Sequence, residues 1–220
     1  MIRVKICGIT NWQDARAACD AGADLIGLNF YEKSLRRVST ADAAQIRSKL
    51  PGGVEAVGVF VNSSPAEITS LRSFVRFNAA QLHGDEGPEV VSQVARTGPV
   101  IKAFRVDAGF SFSTFDAYPG VFAFLFDAVR TGQYGGTGQT TDWDLAHRAA
   151  ASHRIILAGG LTPENVGAAV RLVRPYAVDV ASGVESRPGK KDPAKLAEFL
   201  REVRRAESQL EAPAEESKQV

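Results

Sequence analysis

The 220-residue sequence predicts an α/β chain folded as a single (β/α)8 barrel, the TIM-barrel architecture. Three observations carry this. Short apolar runs of strand length alternate with helical patterns about eight times, the pattern of a parallel sheet built from right-handed crossovers. Eight such units in this length favour a closed barrel over an open sheet. Finally, residues 155–185 hold two apolar runs that stop at small-residue turns, Gly159-Gly160 and Ser182-Gly183, with a helical segment between them. Bare backbone at the ends of two parallel strands offers N–H groups to an anion, and the loops after strands 7 and 8 of such barrels frequently hold a phosphate.

The elements follow in order. A first strand spans 3–7, and a helix with Asn11 as its cap spans 12–21. A second strand, 24–30, leads into a basic loop, 33–37, and a helix at 41–50 capped by Thr40. The third strand is 54–61, and Pro65 opens the next helix after Ser64. Residues 79–82 form a short fourth strand that ends in His83-Gly84-Asp85-Glu86, and Pro88 opens another helix. The fifth strand is 100–104, followed by a helix at 110–118. The sixth, 121–126, ends at Asp127. A long loop runs through Gly132, Gly135, Gly136 and Gly138 before a helix starts at 142–144. Within residues 155–185 Thr162 caps, Pro163 takes the first helical position, and Val166, Val170 and Val173 recur at helical spacing. A last helix, 193–204, closes the ring. The domain reading is therefore a barrel over 1–206 and a solvated, disordered tail over 207–220, rich in Glu, Ala and Ser.

Composition narrows the partners. Hydrophobic residues make up 45% of the chain and the net charge is +1. No excess of positive charge points to nucleic acid or to an anionic membrane. The chain runs from Met1 straight into a strand pattern, without an apolar signal segment, so a cytoplasmic protein is expected. Residues 121–126 are far too few to span a bilayer. The two cysteines, Cys7 and Cys19, form no CxxC pattern and are not expected to pair. His83, His147 and His153 show no ligand spacing with them, so no metal is expected.

Sites in this architecture sit at the C-terminal ends of the strands, which makes strand endings the candidates. Cys7 ends the first strand, His83 follows the fourth, Asp127 ends the sixth, and Arg36 lies in the loop after the second. Lys5 should point the same way as Cys7, because side chains alternate along a strand. Each has a plainer reading. A strand cysteine packs as a small hydrophobe, a strand-end aspartate bonds its own turn, a loop arginine is solvated, and a histidine before glycine serves the turn. Together they compose an acid/base site for a phosphorylated anion. A thiol acts as a base if a neighbouring cation lowers its pKa, and a carboxyl at the barrel mouth acts as an acid if partial burial raises its own.

The motifs then converge. Residues 4–10 (VKICGIT), 34–36 (SLR), 57–62 (VGVFVN), 81–84 (QLHG), 126–127 (FD), 135–138 (GGTG), 159–165 (GGLTPEN), 179–185 (DVASGVE) and 188–192 (PGKKD) occur in one order along nearly the whole chain. In these the sequence resembles the phosphoribosylanthranilate isomerases, (β/α)8 enzymes of tryptophan biosynthesis. The resemblance implies an Amadori rearrangement of a phosphosugar without a cofactor. It implies Cys7 as catalytic base, Asp127 as acid, and Arg36 as the group that holds the anthranilate carboxylate, with Arg37 the alternative one residue on. It implies a phosphate resting on backbone around Gly160, Ser182 and Gly183, with Gly136 and Gly138 nearby, and His83 among the substrate contacts. A monomer and a homodimer are both compatible with it. Two rivals remain. One is another phosphosugar isomerase on the same barrel, such as the ProFAR isomerase of histidine synthesis, against which Cys7 and the lack of a half-to-half repeat both speak. The other is a non-catalytic phosphate-ligand binder.

Overall fold

The computed structural model describes residues 1–107, 109–128 and 142–211. Eight parallel strands, β1 (Arg3–Cys7), β2 (Leu25–Asn29), β3 (Glu55–Phe60), β4 (Ala79–Leu82), β5 (Val100–Val106), β6 (Ala123–Ala128), β7 (Ile155–Leu157) and β8 (Ala177–Val180), close into one barrel in sequence order. The expected fold class is the observed one. The last strand pairs directly with the first, from Arg3 opposite Ala177 to Ile6 opposite Val180. Outside the strands lie α1 (Trp12–Asp20), α2 (Thr40–Lys49), α3 (Pro65–Val75), α4 (Pro88–Ala95), α5 (Trp143–Ala150), α6 (Pro163–Val173) and α7 (Pro193–Glu211). A two-stranded antiparallel hairpin, β9 (Glu185–Arg187) with β10 (Lys190–Lys191), follows β8.

The helix starts obey local chemistry. Asn11, Ser64 and Asp142 each accept from the N–H three residues on, which satisfies one donor that a helix start leaves open. At α2 the cap is Ser39, which accepts from the Asp42 N–H, and Thr40 is the first helical residue. Two adjacent hydroxyl residues offered the choice, and the extended backbone fell on the serine. Between β5 and β6 the expected helix is a shorter 3-10 turn, Phe112–Ala117. Ring packing dominates there: Phe115 stacks on Phe124 at 4.3 Å, and Phe110 meets Phe126 edge-on at 5.3 Å. Rings pinned at those spacings fit a short tight turn better than a full α-helical repeat.

The expected boundary at 206 cuts through α7, which continues to Glu211. Ala206 is buried, and Glu207 accepts from the Ile2 N–H and lies 3.3 Å from the terminal ammonium. The Glu, Ala and Ser content of this segment predicts solvation, whereas the Glu207 carboxylate ties the end of α7 to the start of β1.

Two apolar layers hold the barrel. One fills the space between strands and helices, from Val4, Ile6 and Ile26 to Phe199 and Val203. The other fills the barrel interior with Leu25, Val57, Ala79, Ile101, Leu125, Ile156 and Ala177 among others. Side chains alternate, so stepping by two along a strand climbs from this interior plug to the mouth. On β4 the climb passes from Ala79 to Gln81 and then His83. On β6 it runs from Leu125 to Asp127, and on β8 from Ala177 to Asp179. The fold thus sets polar groups at the C-terminal mouth above an apolar floor.

Candidate active site

The mouth is an open cleft at the C-terminal ends of the strands. Cys7, Arg36, His83, Asp127, Gly160 and Ser182 all line it. Gly183 stands behind the lining, and Gly136 and Gly138 lie outside the described residues.

On one side Cys7 ends β1 opposite Gly27 of β2. A Cβ at Gly27 would lie 2.8 Å from the Cys7 sulfur, so the glycine makes room for the thiol. One step below, the fully buried Lys5 pairs with Asp179 of β8 at 2.9 Å. Burial opposes the Lys5 charge, but Asp179 and Cys7 outweigh it and hold the ammonium above its ordinary pKa. For the thiol the balance is reversed. Burial, then the Asp179 charge, push Cys7 upward, and Lys5 and Lys191 pull it down less strongly. The cations that the sequence reading required are present. The net direction nonetheless departs from it, because burial and the Asp179 carboxylate prevail, and the thiol is mostly protonated at neutral pH.

Arg36 reaches the cleft from the loop after β2. Its Nε and Nη2 donate to the two carboxylate oxygens of Glu185, each at 2.8 Å, a bidentate fork. Glu185 also accepts from Lys191, at 3.0 Å, and burial of Glu185 is outweighed by these two cations, which hold its pKa below the usual carboxylate value. The remaining Nη1 of Arg36 makes no hydrogen bond among the described residues. Arg37 is half exposed, pairs loosely with Glu32 at 3.5 Å, and does not line the cleft. Glu185 escaped the sequence reading because its partner lies 149 positions away, beyond any local pattern.

Across the mouth Asp127 is almost fully buried, and its Oδ2 lies 3.1 Å from His83 Nε2. The other ring nitrogen, Nδ1, is 2.7 Å from the side-chain amide of Gln81. The loop that carries His83 is anchored from beneath. Lys102 of β5, itself buried, donates to Glu86 and to the Gly84 carbonyl, both at 2.8 Å, and Glu86 accepts from the N–H groups of Asn62 and Gly84.

Between the two sides lie the turns after β7 and β8. Gly159 and Gly160 both have positive φ, 84° and 64°, where a side chain would be strained. A capping box between Thr162 and Asn165 starts α6, and the Asn165 amide also donates to the Gly160 carbonyl at 2.9 Å. The second turn, Ser182–Val184, packs against the first so closely that a Cβ at Gly183 would come within 1.9 Å of the Leu161 carbonyl oxygen. A helix start and bare backbone facing a cleft suit a dianion.

Known proteins resemble this chain in sequence and in fold. A sequence model of the family described as N-(5'phosphoribosyl)anthranilate (PRA) isomerase matches residues 4–202. The N-(5'-phosphoribosyl)anthranilate isomerase of Rubrobacter xylanophilus is 50% identical over 202 residues, which cover 91% of this chain and 98% of that one. The crystal structure of phosphoribosyl anthranilate isomerase from Thermotoga maritima superposes with a TM-score of 0.86 at 42% identity, over 93% of this chain and 99% of that one. Another crystal structure of such an isomerase, in complex with reduced 1-(o-carboxyphenylamino)-1-deoxyribulose 5-phosphate, gives 0.83 at 41% identity with the same coverage. Among the described residues no helix is long and apolar enough to cross a membrane. With a family match over residues 4–202 and a relative 50% identical over 202 residues, the chain belongs to the N-(5'-phosphoribosyl)anthranilate isomerase family.

Proposed function

We propose that this chain performs the isomerisation its family is named for, with Asp127 as acid and Cys7 as base. The substrate is N-(5-phosphoribosyl)anthranilate and the product is 1-(2-carboxyphenylamino)-1-deoxyribulose 5-phosphate, a step of tryptophan biosynthesis. The observation that supports the two roles is their placement: Cys7 and Asp127 line one cleft from non-neighbouring strands, with an arginine and an anion-binding pair of turns between them.

The reaction divides into two proton transfers. Asp127 gives a proton to the furanose ring oxygen, the C1–O bond breaks, and the anilino nitrogen's lone pair forms the C1 iminium. Cys7, as thiolate, then takes the C2 proton, and the C2–H electrons move to give an enolamine. Protonation of C1 and loss of the C2 hydroxyl proton leave the ketone. Hydrogen moves only as protons while C2 is oxidised and C1 reduced, so no external oxidant or cofactor enters the balance. Each positioned transfer typically contributes about 10²–10⁴ in rate. A cationic iminium beside Cys7 would favour the thiolate against the burial and the Asp179 charge that raise its pKa. The free Nη1 edge of Arg36 faces the substrate carboxylate, and the turns at Gly160 and Ser182 hold the phosphate, which fixes C2 near the sulfur.

Coupled turnover of freshly made phosphoribosylanthranilate, followed by loss of anthranilate-type fluorescence, tests the reading. Rapid first-order loss at micromolar enzyme is expected. Binding of the substrate without turnover would leave only the ligand-binding rival.

A further inference from the structure

We propose that Gln81 is a positioning residue for the acid step: its side-chain amide holds His83 as the neutral imidazole with its proton on Nε2, and that N–H holds Asp127. The catalytic role, though not the tautomer itself, rests on the reading of Asp127 as acid.

The chain of contacts is short and internally consistent. Gln81 and His83 are two residues apart at the end of β4, so both point into the barrel, and Gln81 is fully buried. The Gln81 amide nitrogen stands 2.7 Å from His83 Nδ1, and His83 Nε2 stands 3.1 Å from Asp127 Oδ2. The Gln81 amide nitrogen can only donate, so the Nδ1 it faces accepts. A neutral imidazole has one N–H, which then sits on Nε2 and faces the Asp127 carboxylate once that group has given its proton.

Two further observations separate this from simple packing. The Gln81 carbonyl oxygen is buried with no hydrogen-bond partner. Leucine or methionine would fill the same interior position without that penalty, so the amide is retained for its donor end. The loop itself needs no help from Gln81, because Lys102 and Glu86 already anchor it from the next strand. The freedom left to His83 is ring rotation and tautomer, and Gln81 limits both. The bond between ring and acid then keeps the Asp127 carboxyl from turning away between turnovers.

The test is the nitrogen resonances of 15N-labelled histidine in the full chain at pH 7.5, with His83 assigned among the three histidines by the absence of its signals in His83→Asn. In the wild type, Nε2 should carry the proton and Nδ1 should show the shift of an unprotonated ring nitrogen. Gln81→Met should move His83 toward a mixture of tautomers and lower kcat about tenfold, a part of the 10²–10⁴ at stake in the acid step, with KM within about twofold. Gln81→Glu, which offers an acceptor in place of the donor, should put a proton on Nδ1. A wild-type His83 protonated on Nδ1 overturns the proposal, and that measurement requires no variant to fold. An unchanged tautomer and unchanged kcat in Gln81→Met overturn it as well. The tautomer found as stated in a protein that fails to turn over phosphoribosylanthranilate would instead refute the functional reading and leave the Gln81–His83 assignment standing.

Discussion

The two sides of the cleft are built on different principles. Around Cys7 lie three cations, Lys5, Arg36 and Lys191, and two carboxylates, Asp179 and Glu185, linked by ion pairs of 2.8 to 3.0 Å. On the other side Asp127 meets the imidazole of His83, which an amide meets from behind. The thiol side sets a proton affinity by summing buried charges. The carboxyl side fixes a direction through these hydrogen bonds. A change of charge should therefore be felt most at Cys7, and a change of shape or donor most at Asp127.

The sharpest test of this division is removal of the reacting groups. Cys7→Ser should lower kcat by about 100-fold or more, because a hydroxyl is a far poorer base than a thiol, and Asp127→Asn should do the same for want of a proton. Binding of a reduced product analogue should stay within about threefold in both. Retention of more than about a tenth of kcat in Cys7→Ser would remove the sulfur from the proton transfer.

Arg36→Lys comes next. Lysine cannot form the fork with Glu185 and present a second edge at once, and a charge-assisted bond is worth about 1.5–3 kcal/mol, so KM should rise roughly 10- to 100-fold. A substrate analogue without the carboxylate should bind the wild type weakly and lose little more in the variant. Equal losses for both ligands would show that Arg36 serves the loop alone, and a selective loss in Arg37→Lys would move the assignment by one residue.

The pH dependence is gentler and has a definite sign. The Cys7 pKa lies above the ordinary thiol value, so the thiolate is the minor form at neutral pH and increases as pH rises toward that pKa. Alkylation by iodoacetamide should then accelerate by up to about tenfold per pH unit between about pH 7 and 9, and kcat/KM should climb with it. A flat alkylation rate over that range would mean that Lys5 and Lys191 win over burial and Asp179.

The smallest effect is on stability. Deletion from Glu207 onward removes the carboxylate that accepts from Ile2 and cuts α7 short, and should lower Tm by about 2–4 °C for a loss of about 1 kcal/mol. Deletion after Glu211 removes only a polar, apolar-poor segment and should leave Tm within about 1 °C. Equal Tm values for the two deletions would return the boundary to 206.

Much of this molecule was legible because strand endings are local. Cys7 and Asp127 each terminate an apolar run, and the rule that barrel chemistry gathers at such ends led to both. The turns at Gly160 and Ser182 were readable for the same reason. What stayed hidden was pairing over long separations. Glu185 is held by Arg36, 149 positions away, and Asp179 by Lys5, 174 positions away, and no local pattern shows either pair. Gln81 was passed over because a polar residue in a four-residue strand carries no periodic signal, and only the closed barrel shows it facing inward. The thiol's proton affinity was misjudged in direction because burial has no signature in the spacing of charges.

The join between β1 and β8 has a consequence for how the protein comes into being. The strand that carries Cys7 is made well before β8, whose Asp179 lies 174 residues downstream of its partner Lys5. A nascent chain leaving the ribosome therefore carries Cys7 on an open sheet edge for most of its synthesis, with Lys5 lacking its counter-ion. The chemistry around the sulfur is assembled only when the last strand arrives and the ring closes. A chain arrested before Ala177 would hold Cys7, Asp127 and the arginine loop, and still lack Asp179, Glu185 and Lys191, the charges that surround the thiol.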